Sequence, residues 1–358
     1  EAGITAADLA FIVHGTTLAT NTIIERKGAH TALIATDGFR DAVEMGYEHR
    51  FDQYDINIEK PAPLVPRYLR LPVRERCNAT GEILLPLVED DVRALVPILR
   101  EQQIESVAIT LIHAYANDKH ERRVAEILQA ELPELWITLS SEVCPEIREY
   151  ERTSTACANA YVQPLMASYL ADLDARLRAE GAQCPLFMMT SGGGLTTVET
   201  ARRHPIRLVE SGPAGGAILA GRIALECGLD KVLSYDMGGT TAKICLIDEG
   251  RPQTSRTFEV DRQYRFTKGS GLPLRIPVIE MVEIGAGGGS IAQVDNLGRI
   301  QVGPESAGSE PGPACYGQGG TGATVTDADV ALGRISPDGF AGGSGQLSPG
   351  LSQAALDK

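Results

Sequence analysis

The sequence predicts an α/β protein with at least two domains, and three observations carry that expectation. Strand-like and helix-like apolar patterns alternate along most of the chain, the order that builds sheets covered by helices. A length of 358 residues with 43% hydrophobic content is enough for two cores. Aromatic residues make up only 5%, with Trp136 the single tryptophan, while 38 glycines and 20 prolines point to aliphatic cores joined by tight turns.

In the first half, residues 1–10 read as a short amphipathic helix leading into an apolar strand over 11–14. A helix over 14–27, closed by Gly28 as a C-cap, and a strand over 31–35 complete one βαβ-like step. The stretch 52–86 is proline-rich and contains a strand over 68–76, whose Pro72 suggests a sheet edge. Val92, Leu95, Val96 and Leu99 have helical spacing within 89–103. A strand over 107–112, a helix over 119–132 and a strand over 136–139 follow, as in winding around a mostly parallel sheet.

A long helical pattern over 149–181 carries Ala158, Val162, Leu165, Tyr169, Leu173 and Leu177, with an interruption expected near Pro164. It reads as a bridge, which divides the chain into a first domain over 1–148, a helical connection over 149–182 and a second domain over 183–358. The second domain begins with a strand over 186–189, a glycine loop over 191–194 and a helix over 214–227. A strand over 231–235, the string Asp236-Met237-Gly238-Gly239-Thr240-Thr241 and an apolar return strand over 244–247 come next, and Asp248-Glu249-Gly250 reads as a further turn. A helix starts near Thr326, and 337–358 dissolves into Gly, Ser and Pro. Both ends look cut.

Charge and cysteine usage narrow the function. With 47 acidic against 33 basic side chains the net charge is −14, a field that repels nucleic acid and anionic membrane surfaces. The seven cysteines are scattered singly without a CxxC pair, so neither a zinc cluster nor a disulfide framework is indicated. No apolar run is as long as a membrane span and no signal pattern opens the chain, so the expected address is the cytoplasm.

The 236–241 string carries the chemistry. Two glycines in a tight turn let backbone N–H groups approach phosphate oxygens, and threonine hydroxyls add donors. Asp236, at the end of a strand, can bind a hydrated Mg²⁺ or orient a water. A plain hairpin turn accounts for the glycines alone, but not for the acid, two threonines and return strand together. A Walker A or dinucleotide loop would lead into a helix, whereas this string leads into a strand, as in the phosphate hairpins of the actin, sugar-kinase and Hsp70 superfamily. Gly285 to Ser290, including Gly287, Gly288 and Gly289, and Ser211 to Gly216 at a helix start can approach an anion or serve close packing.

At these residues the chain resembles the family of hydantoinase A, the N-terminal half of 5-oxoprolinase and the β subunit of acetone carboxylase. The resemblance covers nearly the whole chain. It rests on His14-Gly15-Thr16-Thr17, Gly38-Phe39-Arg40-Asp41, Pro63-Leu64-Val65-Pro66-Arg67 and Glu210-Ser211-Gly212-Pro213-Ala214-Gly215-Gly216. The 236–241 and 284–291 strings, Pro311-Gly312-Pro313-Ala314-Cys315-Tyr316-Gly317 and Thr324-Val325-Thr326-Asp327-Ala328-Asp329 add to it. It implies a two-domain actin-like (ribonuclease H-like) ATPase fold with mixed sheets, here truncated at both ends. Relatives open with a first phosphate hairpin before the HGTT string, and this chain begins after it, so poor ATP binding by the chain alone is expected. Many relatives also carry an acid after the second hairpin, where this chain has Ala242 and Lys243.

The resemblance further implies ATP and Mg²⁺, or another divalent cation, as cofactors and a hydantoinase B-like subunit as partner. The implied reaction is ring opening of a cyclic amide, hydantoin or 5-oxoproline, through phosphorylation of its carbonyl oxygen. Asp236 would handle a proton or the metal's water, and Gly238, Gly239, Thr240, Thr241, Lys243 and the 287–289 glycines would hold phosphates. His14, Thr16, Thr17 and Asn21 would meet the substrate carbonyl, with His14 as general acid, although His14 and Thr16 can also simply cap the next helix. Asp327, paired with Asp329, would coordinate a cation or cap the terminal helix, and Arg40 and Arg152 would hold an anionic group. Two other readings are open: an acetone- or acetophenone-type carboxylase subunit, and a non-catalytic actin-like nucleotide switch.

Overall fold

Residue patterns and packing together define a mixed α/β fold in a computed structural model that describes residues 5–47, 50–239, 241–262, 267–340 and 345–358. The chain divides into two compact units, Glu1–Ile218 with Thr254–Ile279, and Leu219–Gln253 with Glu280–Lys358.

The first unit is built on a four-stranded, wholly parallel sheet. Strand Thr31–Thr36 lies between Arg70–Val73 and Ser106–Thr110, and Trp136–Leu139 closes the far side. Thr31–Thr36 and Ser106–Thr110 are buried at every position, as parallel strands covered on both faces must be. Pro72, which lacks an N–H, sits on the edge strand. Helices Glu89–Glu101 and Lys119–Glu131 pack their apolar stripes, Val92, Leu95, Val96 and Leu99 on the first, onto this sheet.

The helix Glu149–Ala179 runs unbroken through Pro164, where an interruption was expected. Ala156, Cys157 and Ala160 enter the sheet's core, while Ala158, Val162, Met166 and Leu170 enter a second core with Ile23, Met188 and Ile206. Packing on both sides outweighs the cost of one proline, about 3 kcal/mol. Two buried amides of this helix are satisfied within the unit: Asn159 donates to Thr138 Oγ1 (3.0 Å), and Gln163 Oε1 accepts from the same hydroxyl (3.1 Å).

Several local expectations change. Strand Ile12–His14 does not pair with Thr31–Thr36 in a βαβ step; it pairs in parallel with Leu186–Met189, which turns back antiparallel into Leu195–Thr197. The intervening helix spans only Leu18–Ile24, and Gly28 is not its cap. A Cβ on Gly28 would fall 2.2 Å from the Tyr161 ring, so this glycine serves the close approach of the long helix. At the start of the described chain only a single 3₁₀ turn, Ala6–Asp8, stands where a helix was expected.

The second unit holds the antiparallel hairpin Lys231–Met237 and Ala242–Asp248, extended by Arg251–Pro252 and Val282–Ile284. Lys231–Met237 is an edge strand. Directly opposed residues share a face, so Leu233, Tyr235, Leu246, Val282 and Ile284 form one apolar surface, and all five are exposed. A second hairpin, Ser290–Val294 and Ile300–Ser306, precedes helix Val325–Ala331. The expected formless tail contains a helix, Pro349–Leu356, which Ser348 caps and whose first position is proline.

Candidate active site

In the second unit the Asp236 string forms the hairpin the sequence indicates. Asp236 is paired with Lys243 and Met237 with Ala242, and the Gly238 amide closes the turn by donating to the Thr241 carbonyl (2.9 Å). Gly238 and Gly239 are exposed, and a Cβ placed on Gly239 would meet nothing within 4 Å, so the front of the turn is open. Thr240 lies outside the described residues.

The glycine loop lies behind the turn. Gly288 N–H donates to Gly238 C=O (2.9 Å) and Gly289 N–H to Gly239 C=O (2.8 Å). Gly287 N–H donates to Ser290 Oγ (2.9 Å). These three amides, expected at phosphate, are therefore spent on the protein: those of Gly288 and Gly289 orient the hairpin, and that of Gly287 closes the loop on itself. The loop is anchored in turn by Thr326, whose amide and hydroxyl both donate to Gly288 C=O at 2.8 Å. A Cβ on Gly288 would fall 2.6 Å from that hydroxyl, and one on Gly289 would fall 3.1 Å from Gly239 O, so side chains are excluded from this contact.

Lys243 lies in the ladder between Asp236 and Glu283, with its ammonium 4.0 Å from Glu283 Oε1. Glu283 carries no local signal, because it is brought to the hairpin only by the pairing of Val282–Ile284 with the return strand. It supplies a carboxylate on the same sheet face as Asp236, the second acid that the hairpin string itself lacks.

Asp327 is fully buried and stands at N3 of helix Val325–Ala331, where Thr324 is the N-cap and the two form a capping box. Its Oδ1 accepts from the Cys315 amide (2.8 Å) and Ser352 hydroxyl (3.1 Å). Its Oδ2 accepts from the Ala314 amide (3.1 Å), the Thr324 amide (3.1 Å) and the Thr324 hydroxyl (2.8 Å). Burial opposes its charge, but the hydrogen bonds from Thr324, Cys315 and Ala314 prevail and hold its pKa below the ordinary carboxylate value. Five donors use up the acceptor sites of a carboxylate, so Asp327 is a clasp among three elements and not a cation ligand. Asp329 faces Arg334 (3.4 Å).

In the first unit, His14 ends strand Ile12–His14 and its Nε2 lies 2.7 Å from the Tyr169 hydroxyl. Partial burial lowers its pKa, which favours the neutral imidazole. The strings around His14 and Ser211 meet: Thr16 N–H donates to Ser211 Oγ, and the same hydroxyl donates to Thr16 C=O, both at 3.0 Å. Thr16 Oγ1 accepts from the Leu18 amide (3.1 Å), so the capping role falls to Thr16, while Thr17 is exposed and its side chain makes no cap bond. Asn21 is also exposed. Arg152 is buried and spent on the Glu146 and Leu111 carbonyls (3.0 and 3.1 Å), and Arg40 lies 4.0 Å from Asp41. Tyr169, the partner of His14, read only as an apolar helix position.

The first unit also holds a cavity of about 250 Å³ walled by Tyr47, Phe51 and Tyr150, with Lys60 and Glu259 beside it. These two charges are engaged by the protein, Lys60 by the Met45 carbonyl (3.1 Å) and Glu259 by the Gly269 amide (2.7 Å).

Comparison with known proteins finds similarity over most of the chain. The family model described as "Hydantoinase/oxoprolinase" matches residues 152–358, and that of the "Hydantoinase/oxoprolinase N-terminal region" matches residues 1–132. The chain is 39% identical over 353 residues to the caprolactamase subunit alpha of Pseudomonas jessenii, covering 98% of this chain and 49% of that protein. It is 34% identical to the acetophenone carboxylase gamma subunit of Aromatoleum aromaticum, covering 96% of this chain and 48% of that protein. The crystal structure of the ATP-dependent caprolactamase from Pseudomonas jessenii superposes with a TM-score of 0.81 at 38% identity, covering 99% of this chain and 50% of that one. The chain thus spans about half the length of these relatives.

Proposed function

Because this chain belongs to the hydantoinase/oxoprolinase family, we propose that it is the nucleotide-handling part of an ATP-dependent enzyme that opens a cyclic amide. The observation that carries this reading is the open hairpin turn at Gly238 and Gly239, held from behind by the amides of Gly288 and Gly289. An amide carbonyl is a poor electrophile. Transfer of the γ-phosphoryl group of ATP to its oxygen, with ADP leaving, activates the carbon for attack by water; the adduct expels the protonated ring nitrogen as an amine, and a second water hydrolyses the remaining acyl phosphate to carboxylate and phosphate. Catalysis of such a transfer rests on positioning and electrostatics.

Gly239, Thr240 and Thr241 would present donors to the terminal phosphates, Gly238, whose amide closes the turn, would shape it, and Asp236 would orient water at the turn. Mg²⁺ or another divalent cation would neutralise phosphate charge, and the exposed Asp236 carboxylate suits it through water, whereas Asp327 does not. Lys243, set between Asp236 and Glu283, tempers the acidity of that face and can turn to a phosphate oxygen. The glycines of 287–289 are positioning residues. In the first unit, neutral His14, steadied by Tyr169, is the candidate hydrogen-bond donor to the substrate carbonyl, with Thr17 beside it in sequence.

The reading extends to an actin-like fold, to a hydantoinase B-like partner, and to the cytoplasm. No helix among the described residues is long and apolar enough to cross a membrane. Similarity to the acetophenone carboxylase gamma subunit favours a second reading, a carboxylase that activates a ketone. The full-length protein with its partner subunit decides between them. ADP release stimulated by caprolactam, hydantoin or 5-oxoproline supports ring opening, and stimulation by acetone or acetophenone with bicarbonate supports the carboxylase. Stimulation by neither would leave a nucleotide switch.

A further inference from the structure

Away from the hairpin, Glu75, Cys77 and His120 converge inside the first unit, all three buried, with their donor atoms within 4.8 Å of one another. Glu75 Oε2 lies 2.8 Å from His120 Nδ1, and Cys77 Sγ lies 3.9 Å from the same nitrogen. We propose that Glu75, Cys77 and His120 form a binding site for a Zn²⁺-class divalent cation, with water as the fourth ligand.

Carboxylate, thiolate and imidazole together suit a borderline-soft cation rather than Mg²⁺ or Ca²⁺, which prefer oxygen. Tetrahedral bond lengths to N, O and S place neighbouring donor atoms about 3.4 Å apart. The two observed separations lie on either side of that spacing and all three donor atoms lie within 4.8 Å of one another, so side-chain shifts without backbone movement produce the site. Supporting contacts hold the donors in place. The other Glu75 oxygen accepts from the Thr36 hydroxyl, which itself accepts from the Ile112 amide (2.8 Å). His113 Nδ1 is 2.8 Å from the Cys77 carbonyl. Such outer contacts orient metal ligands in known sites.

Charge argues the same way. Among the described residues Glu75 makes no salt bridge to a lysine or arginine; the group beside it is the His120 imidazole, 2.8 Å away. A buried carboxylate with so little positive charge is costly, and a divalent cation compensates it. On binding, the Cys77 thiol proton leaves to solvent, the imidazole proton moves from Nδ1 to Nε2, and the cation replaces the Glu75–His120 hydrogen bond. The ion would then tie the segment carrying Glu75 and Cys77 to the start of helix Lys119–Glu131.

The test uses the full-length protein, stripped of metal and titrated with Co²⁺. The expected result is a thiolate-to-cobalt charge-transfer band that saturates at about one ion per chain. It should disappear in Cys77→Ser and fall at least about tenfold in apparent affinity in His120→Asn. No band in the unmodified protein, or an undiminished band in Cys77→Ser, overturns the site. Should a variant fail to fold, Zn²⁺ absorption-edge spectroscopy on the unmodified protein decides: one sulfur at about 2.3 Å supports the site, and a shell of only nitrogen and oxygen overturns it. Neither readout depends on ATP turnover, so failure here leaves the proposed function untouched.

Discussion

The Gly288 amide donates to the Gly238 carbonyl across 2.9 Å, although fifty positions separate them in sequence. That bond, with its neighbour from Gly289 to Gly239, fixes which way the turn faces. Gly288→Ala would drive a Cβ to 2.6 Å from the Thr326 hydroxyl and push the loop off the hairpin. The expected outcome in the full-length enzyme is a loss of ATP affinity of at least about tenfold, roughly 1.4 kcal/mol, with the circular dichroism spectrum kept. Calorimetric titration with a non-hydrolysable ATP analogue measures it.

Gly239→Ala separates protein from ligand. No atom lies within 4 Å of the new Cβ, so the melting temperature should stay within about a degree or two of the parent. If phosphates approach this turn, nucleotide affinity should nevertheless fall; unchanged affinity would place the phosphates elsewhere.

Asp236→Ala should abolish ATP turnover in the full-length enzyme with its partner, by about a hundredfold or more, while leaving the fold intact. Asp236 is exposed at the end of its strand, so its removal empties no core. Full activity in this variant would remove it from the mechanism.

Asp327→Ala should instead act on stability. Five donors lose their acceptor in a buried site, and a cost of roughly 3 kcal/mol is expected. Urea unfolding monitored at the second unit checks it. Because the folded carboxyl is more acidic than its ordinary 3.8, this contribution is full above that value and is lost as pH falls through the folded pKa.

His14 titrates at higher pH. Burial lowers its pKa below the ordinary 6.5, so the unfolded chain takes up the proton first as pH falls. Stability is therefore full above about 6.5 and declines below it toward the lower folded pKa. His204, lowered chiefly by burial as well, acts in the same direction. Denaturation midpoints on either side of this window should differ less in His14→Gln than in the parent.

What the sequence made legible was local. The helices at 89–101 and 119–131 and the strands between them follow from periodic apolar residues, and the Asp236 hairpin follows from its turn residues and return strand. Partners distant in sequence were not legible. Nothing in Ile12–His14 says that it pairs with Leu186–Met189, and a three-residue strand has too few side chains to specify a neighbour. Glu283 reaches the hairpin, and Cys77 meets His120, only through tertiary folding. The helix Pro349–Leu356 was hidden by composition, since its Ser-Pro start is both a turn signal and a cap signal. Asp327 was placed near a helix start, but the choice between metal and clasp depended on donors from 314–315 and 352.

The apolar row of Leu233, Tyr235, Leu246, Val282 and Ile284, beside an edge strand, has a practical consequence for handling this chain. Left uncovered, a greasy sheet surface with open backbone donors and acceptors invites other copies to add on, strand to strand and face to face. Precipitation on concentration should therefore ease when Leu233, Leu246 and Val282 are replaced by threonine, which keeps strand preference while wetting the surface.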